Sequence, residues 1–131
     1  MKHFTIKELS HSDTALIRGI DNYPTAEAIS NLTKLVDNVL DPLREKYGKP
    51  VYVSSGYRSP ALNRSVNGAT SSQHRLGEAA DITAGSKEEN KKLFEIIKKE
   101  LPHDQLINEK NFSWIHVSYR EGRNRKQTLK L

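Results

Sequence analysis

The chain has 131 residues, 35% of them hydrophobic, no cysteine and a formal net charge of +5. This length suits a single domain, residues 1–131, with one modest core. The lack of cysteine excludes disulfides and thiolate metal sites, and no apolar run approaches transmembrane length.

Met1 to Leu9 has no apolar run of the kind a secretory signal needs, so synthesis in the cytoplasm without a signal peptide is expected. The first twenty-odd residues read as an irregular arm, with Phe4, Ile6 and Leu9 as anchors onto the body. From Ala26 to Tyr47 the residues Ile29, Leu32, Val36, Val39, Leu40 and Leu43 recur at three- and four-residue steps, which predicts a helix with one buried face. Thr25 is its N-cap and Gly48 its stop, and Pro42 should kink it or split it after Leu40. Val51 to Ser55 alternates and is β-branched, the pattern of a strand. Ser59-Pro60 opens a short helix through about Val66, and Asn67-Gly68 is a turn.

Ala79 to Thr83 predicts a core strand. Ser86-Lys87-Glu88-Glu89 matches a capping box and opens a second long helix, with Leu93, Phe94, Ile96, Ile97 and Leu101 on one side and Pro102 at its end. Asp104 to Asn108 and Ser113 to Tyr119 read as strands joined by Glu109-Lys110-Asn111. Glu121 to Lys126 is a basic turn, with Gln127 to Leu131 as a final edge strand. The expected class is α+β, an antiparallel sheet of about four strands packed with two long helices and one short helix.

Three segments carry chemistry. His74 and Asp81 would stand roughly 23 Å apart on one strand and roughly 10 Å apart along one helix. They can share an ion only if the chain turns between them, and Gly77 can adopt positive φ for that turn. His74 therefore belongs to a loop and Asp81 to the strand that follows. On the second strand, Trp114, His116 and Ser118 share one face, while Ile115, Val117 and Tyr119 share the other. Two histidines and an aspartate suffice for a catalytic zinc with an open position. Taken singly, each segment also has a plain structural reading, as a surface pair or a half-buried strand histidine. In Ser55-Gly56-Tyr57-Arg58-Ser59-Pro60, Arg58 sits at a strand-to-helix turn, where it can clamp a carboxylate or simply brace the loop.

Together the segments resemble the zinc D-Ala-D-Ala carboxypeptidase family. That family lies in the superfamily of the vancomycin-resistance dipeptidases, the phage L-alanyl-D-glutamate endolysins and the hedgehog signalling domain. The pattern S-x-H-x-x-G-x-A-x-D is met from Ser72 to Asp81, W-x-H-x-S at Trp114, His116 and Ser118, and S-G-Y-R-S-P from Ser55 to Pro60. Asp104-Gln105-Leu106-Ile107 and Leu40-Asp41-Pro42-Leu43-Arg44 look like its small bacterial and phage branch. The resemblance implies a hedgehog/DD-peptidase-like fold and one zinc ion held by His74, Asp81 and His116. It implies that Arg58 contacts the substrate or its developing oxyanion, and that Ser72 and Gln73 line the pocket beside Trp114 and Ser118.

The implied activity is hydrolysis of a peptide bond involving a D-amino acid in peptidoglycan stem peptides, of D,D-carboxypeptidase or endopeptidase type. The chain would act on the cell wall as a phage or prophage lysin, as a monomer, with no membrane partner. Many family members carry Glu or Asp three residues before the last histidine. Here that position is Ser113, which is no efficient base. Glu109 is the favoured substitute, with His103 and Asp104 as alternatives. The missing carboxylate keeps open a second reading, a non-catalytic zinc-containing module that binds cell-wall or other peptides. The net charge invites a nucleic-acid partner, but the lysines of residues 87–99 fall on the outer face of an amphipathic helix, which argues against one.

Overall fold

The computed structural model describes residues 1–131. Thr5 and Glu8 close a reciprocal capping box at the start of helix α1, Ile6–Ser10, and Ser12 caps α2, Asp13–Arg18. Helices this short do not hold by themselves in water. Helix α1 is ordered by packing, since Phe4 and Leu9 are buried in the main core cluster, while α2 buries Ala15 alone. The expected irregular arm is therefore two short helices, each too brief for apolar periodicity to register.

The long predicted helix is split where Pro42 required. Helix α3, Ala26–Leu35, runs into a π-helical turn, Val36–Leu40, and then α4, Asp41–Tyr47. A proline ring collides with the carbonyl four residues back. The widened turn relieves this, and the Asp41 N–H donates to the Val36 carbonyl instead. Gly48, at φ 79°, ends the run. Ser59 caps α5, Pro60–Ser65, and a 3-10 turn spans Gln73–Leu76. Ser86 Oγ caps α6, Lys87–Glu100, accepting from the Glu89 N–H. The expected capping box does not close, because the Glu89 carboxylate turns to Tyr47, Lys49 and Lys92.

The sheet contains β1 (Tyr52–Ser55), β2 (Ala79–Thr83), β3 (Gln105–Glu109), β4 (Trp114–Ser118) and β5 (Gln127–Lys130), in the order β1-β2-β4-β3-β5. The class is α+β, but the sheet has five strands and is mixed, not an antiparallel set of about four. Strand β4 is already flanked by β2 and β3, so the last segment can add only at an edge. It crosses to the far side of β3, where Lys126 and Gln127 donate to the carbonyls of His103 and Asp104. That start beside the start of β3 makes the pair parallel.

Ile82, Ile115, Val117 and Leu106 face the helices and join Leu32, Val39, Leu93 and Ile97 in a cluster of 21 buried residues. Each fully buried aliphatic side chain of this kind contributes roughly 1.5–3 kcal/mol. The opposite face of the same strands carries Asp81, His116, Ile107 and Glu109. No helix is long and apolar enough to cross a membrane.

Candidate metal centre

The open face of the sheet is built by register. Ser55 pairs with Asp81, Asp81 with His116, and His116 with Ile107, so one row across four strands brings an aspartate beside a histidine. His74 enters from above, on the 3-10 turn that precedes β2. Gly77 ends that turn at φ 76°, and a Cβ there would stand 2.5 Å from the Ala28 carbonyl oxygen. Both the backbone angle and the close approach to α3 require glycine. The turn expected between His74 and Asp81 is therefore present, at the residue anticipated.

The ligating atoms of His74, Asp81 and His116 all lie within 4.8 Å of one another. His116 Nδ1 is 3.0 Å and His74 Nε2 is 3.4 Å from Asp81 Oδ1. His74 Nδ1 donates to the Gly56 carbonyl at 2.7 Å, which turns Nε2 toward the centre. A backbone carbonyl on the distal nitrogen is the usual way a ligating imidazole is oriented. Burial pushes the Asp81 carboxyl up, but hydrogen bonds and positive charge from His116 and His74 outweigh it and hold the group below the usual carboxylate range. Two imidazole nitrogens and an ionised carboxylate converging on one point form a donor set that suits zinc with a position left open.

Arg58 stands beside this group. Its Nη2 is 3.8 Å from Asp81 Oδ2, its Nε donates to Ser55 Oγ at 3.3 Å and its Nη1 to Asn63 Oδ1 at 3.1 Å. Its backbone N–H donates to the His74 carbonyl, tying the arginine turn to the histidine turn. Burial lowers its pKa and Asp81 opposes that shift.

Residues 2–118 match the family model described as Peptidase M15. The chain belongs to the peptidase M15 family. It is 36% identical over 85 residues to the zinc D-Ala-D-Ala carboxypeptidase of Streptomyces albus G, a stretch that covers 64% of this chain and 32% of that relative. The chain thus spans about a third of the curated relative it matches.

In this M15 chain the group opens onto a cleft of about 580 Å³. Arg58, Ser72, Gln73, Trp114 and Glu109 all line it. Ser118 does not reach it. That residue is fully buried, and its Oγ accepts from the Gln105 N–H, so strand parity placed it on the right face but under a cover. Ser113 is exposed in the turn before β4, with its Oγ on the Lys110 carbonyl. Of the alternative carboxylate and imidazole, Asp104 is completely buried against Arg125, and His103 is buried with Nδ1 donating to the Leu101 carbonyl. Glu109 pairs across the sheet with Trp114, one residue pair from the His116–Ile107 pair on the same face. Diagonal neighbours of this kind lie about 7–8 Å apart, within side-chain reach.

Several supporting residues escaped the sequence reading. Gly56 gives its carbonyl to His74 and leaves no room for a Cβ, which would meet the Leu9 carbonyl oxygen at 2.1 Å. Asn63 braces Arg58, and Asn22 ties the turn by accepting from the Ser59 N–H and donating to the Tyr57 carbonyl. Gly56 and Asn22 meet partners 18 and 37 residues away, which no local pattern exposes, while Asn63 lies five residues from Arg58. Arg120 and Arg125 also line the cleft, and the basic run from Arg120 to Lys126 was their only signal.

Proposed function

We propose that this chain is a zinc peptidase that hydrolyses a peptide bond involving a D-amino acid in peptidoglycan stem peptides. The observation that carries the reading is the convergence of His74, Asp81 and His116 within 4.8 Å at the floor of a cleft that also holds Arg58 and Glu109. One zinc ion held by these three residues would supply a Lewis acid for the scissile carbonyl and a bound water acidified to a pKa of about 7.

The protein's own groups account for the rest of the chemistry. Glu109 takes the proton from the attacking water and delivers it to the leaving amine, the role general catalysis requires of a carboxylate at this place. Arg58, fixed by Ser55 and Asn63, donates to the oxygen that gains negative charge. Ser72, Gln73 and Trp114 hold the peptide in the cleft. Arg58 also lines a second cavity, of about 440 Å³. A second cavity bordered by the same arginine suits a chain that continues past the scissile bond, as an endopeptidase of the lysin type needs. The position of Glu109 favours an enzyme over a binding module, since it supplies the carboxylate that Ser113 lacks.

Metal analysis of the purified protein should find about one zinc per chain, lost in His116→Ala. Digestion of muropeptides followed by mass spectrometry should show one new amine and one new carboxylate at a bond to a D-residue. A folded protein that holds zinc and cleaves no muropeptide would leave only the binding reading.

A further inference from the structure

The basic loop between β4 and β5 has no part in the chemistry above, yet it places two arginines in the cleft. Arg120 is one-third exposed and Arg125 half-exposed, and both line the same cavity as the histidines. They sit on buried acids. Asp104, fully buried, accepts from the Arg125 backbone N–H, Nε and Nη2, each at 2.9 Å. Glu78, also buried, accepts from Arg120 Nε at 3.4 Å. The acids lie beneath and the guanidiniums above. The Arg120 guanidinium engages the protein through Nε alone, and Arg125 Nη1 has no protein partner, so both amino groups of Arg120 and Nη1 of Arg125 remain available to a ligand.

Gln73 adds an acceptor at the same place. Its Nε2 donates to Asp104 Oδ2 at 3.0 Å and lies 3.4 Å from Glu78 Oε1. Two carboxylates demand the amide nitrogen on their side, so Oε1 points away from them. That oxygen is buried and has no partner, on a residue that lines the cleft. An N–H of a bound peptide would satisfy it.

The cleft is mostly polar. Gln105 and the arginines mark one end, and Glu109 and Trp114 the other, with His116 between. Gln105 and Glu109 are separated by the length of β3, roughly 13 Å. An anion is repelled by Glu109 at one end and drawn to paired guanidiniums at the other.

We propose that Arg120 and Arg125, seated on Glu78 and Asp104 with Gln73 beside them, form a carboxylate-binding subsite at the end of the cleft away from Glu109. The preferred substrate then carries a free carboxylate on the residue lying there, as a side-chain group or a chain end, and a backbone N–H for Gln73. The assignment rests on the peptidase reading for its substrate class.

Three versions of one stem peptide test it: both carboxylates free, only the side-chain carboxylate amidated, and only the terminal carboxylate amidated. Hydrolysis gives kcat/KM, and stopped-flow fluorescence of Trp114, the single tryptophan, reads binding ahead of turnover. One amidation should cost about ten-fold or more in both readouts, the scale of a charge-assisted hydrogen bond, and which one it is names the carboxylate. Arg120→Gln should bring that ratio close to one. Arg120→Lys, which keeps the charge but not the fork, should fall between. Equal cleavage of all three peptides by the unaltered protein would overturn the subsite and leave the peptidase reading standing. Binding that depends on Arg120 without cleavage would do the reverse. Loss of all binding in a folded protein would end both.

Discussion

Glu109→Gln separates chemistry from structure. Glu109 is half-buried on the open face of β3, and its backbone carbonyl accepts from Ser113 while its carboxylate engages no other group of the protein. Replacing one carboxylate oxygen by an amide nitrogen removes the basic site and keeps the shape. Loss of a positioned general base costs about a hundred- to ten-thousand-fold in kcat, about 3 to 5 kcal/mol of barrier. No protein contact is broken, so the unfolding free energy should move by less than about 0.5 kcal/mol. Zinc content should be unchanged, because Glu109 is outside the group formed by His74, Asp81 and His116. The assay is hydrolysis of a defined stem peptide followed by chromatography, with urea unfolding and metal analysis on the same preparation. A variant that keeps its zinc, its stability and its turnover would refute the assignment of Glu109 as base.

Three further outcomes follow from the same structure. Gly77→Ala adds a Cβ 2.5 Å from the Ala28 carbonyl oxygen at φ 76°, so it should destabilise by roughly 2–5 kcal/mol and weaken zinc binding as the turn bearing His74 shifts; denaturant unfolding and metal titration read the two effects. Asp104→Asn sets an amide donor against the Arg125 and Gln73 donors and should cost roughly 2–4 kcal/mol, less than a sealed pair because Arg125 can turn to water; urea midpoints measure it. Asp104 is held down to about 2, from 3.8, first by the hydrogen bond from Arg125. A lowered folded pKa gives stability that is complete above the unfolded value and lost as pH falls through the folded one, so unfolding free energy should decline between pH 3.8 and about 2, and the Asp104→Asn protein should show a shallower decline.

Much of the fold was legible because it is local. The apolar steps of α6, the β-branched run of β1 and the cap at Ser59 each act over a few neighbouring residues. Strand parity sorted β4 correctly, with Ile115 and Val117 in the core and His116 on the open face. Parity cannot say what covers a face, which is why Ser118 was expected in the cleft and lies buried under it. Phe4 and Leu9 anchor the first segment in the core as expected, but helices α1 and α2 were missed because five and six residues are too few for apolar periodicity to register. The last strand was read as an edge strand, but its parallel pairing with β3 depends on which sheet edge was still free, a property of the assembled sheet.

By itself, the sequence determined the residue types of the candidate metal centre and the need for a turn at Gly77, since chain geometry forbids His74 and Asp81 from meeting otherwise. Only the tertiary structure decided which acid stands in the cleft. Asp104 and Glu109 bracket one strand, and the register against β4 leaves Glu109 open beside Trp114 while Arg125 and Gln73 seal Asp104 below. The reason is physical: a carboxylate buried in low dielectric must be paired, whereas one facing a water-filled cleft can stand free.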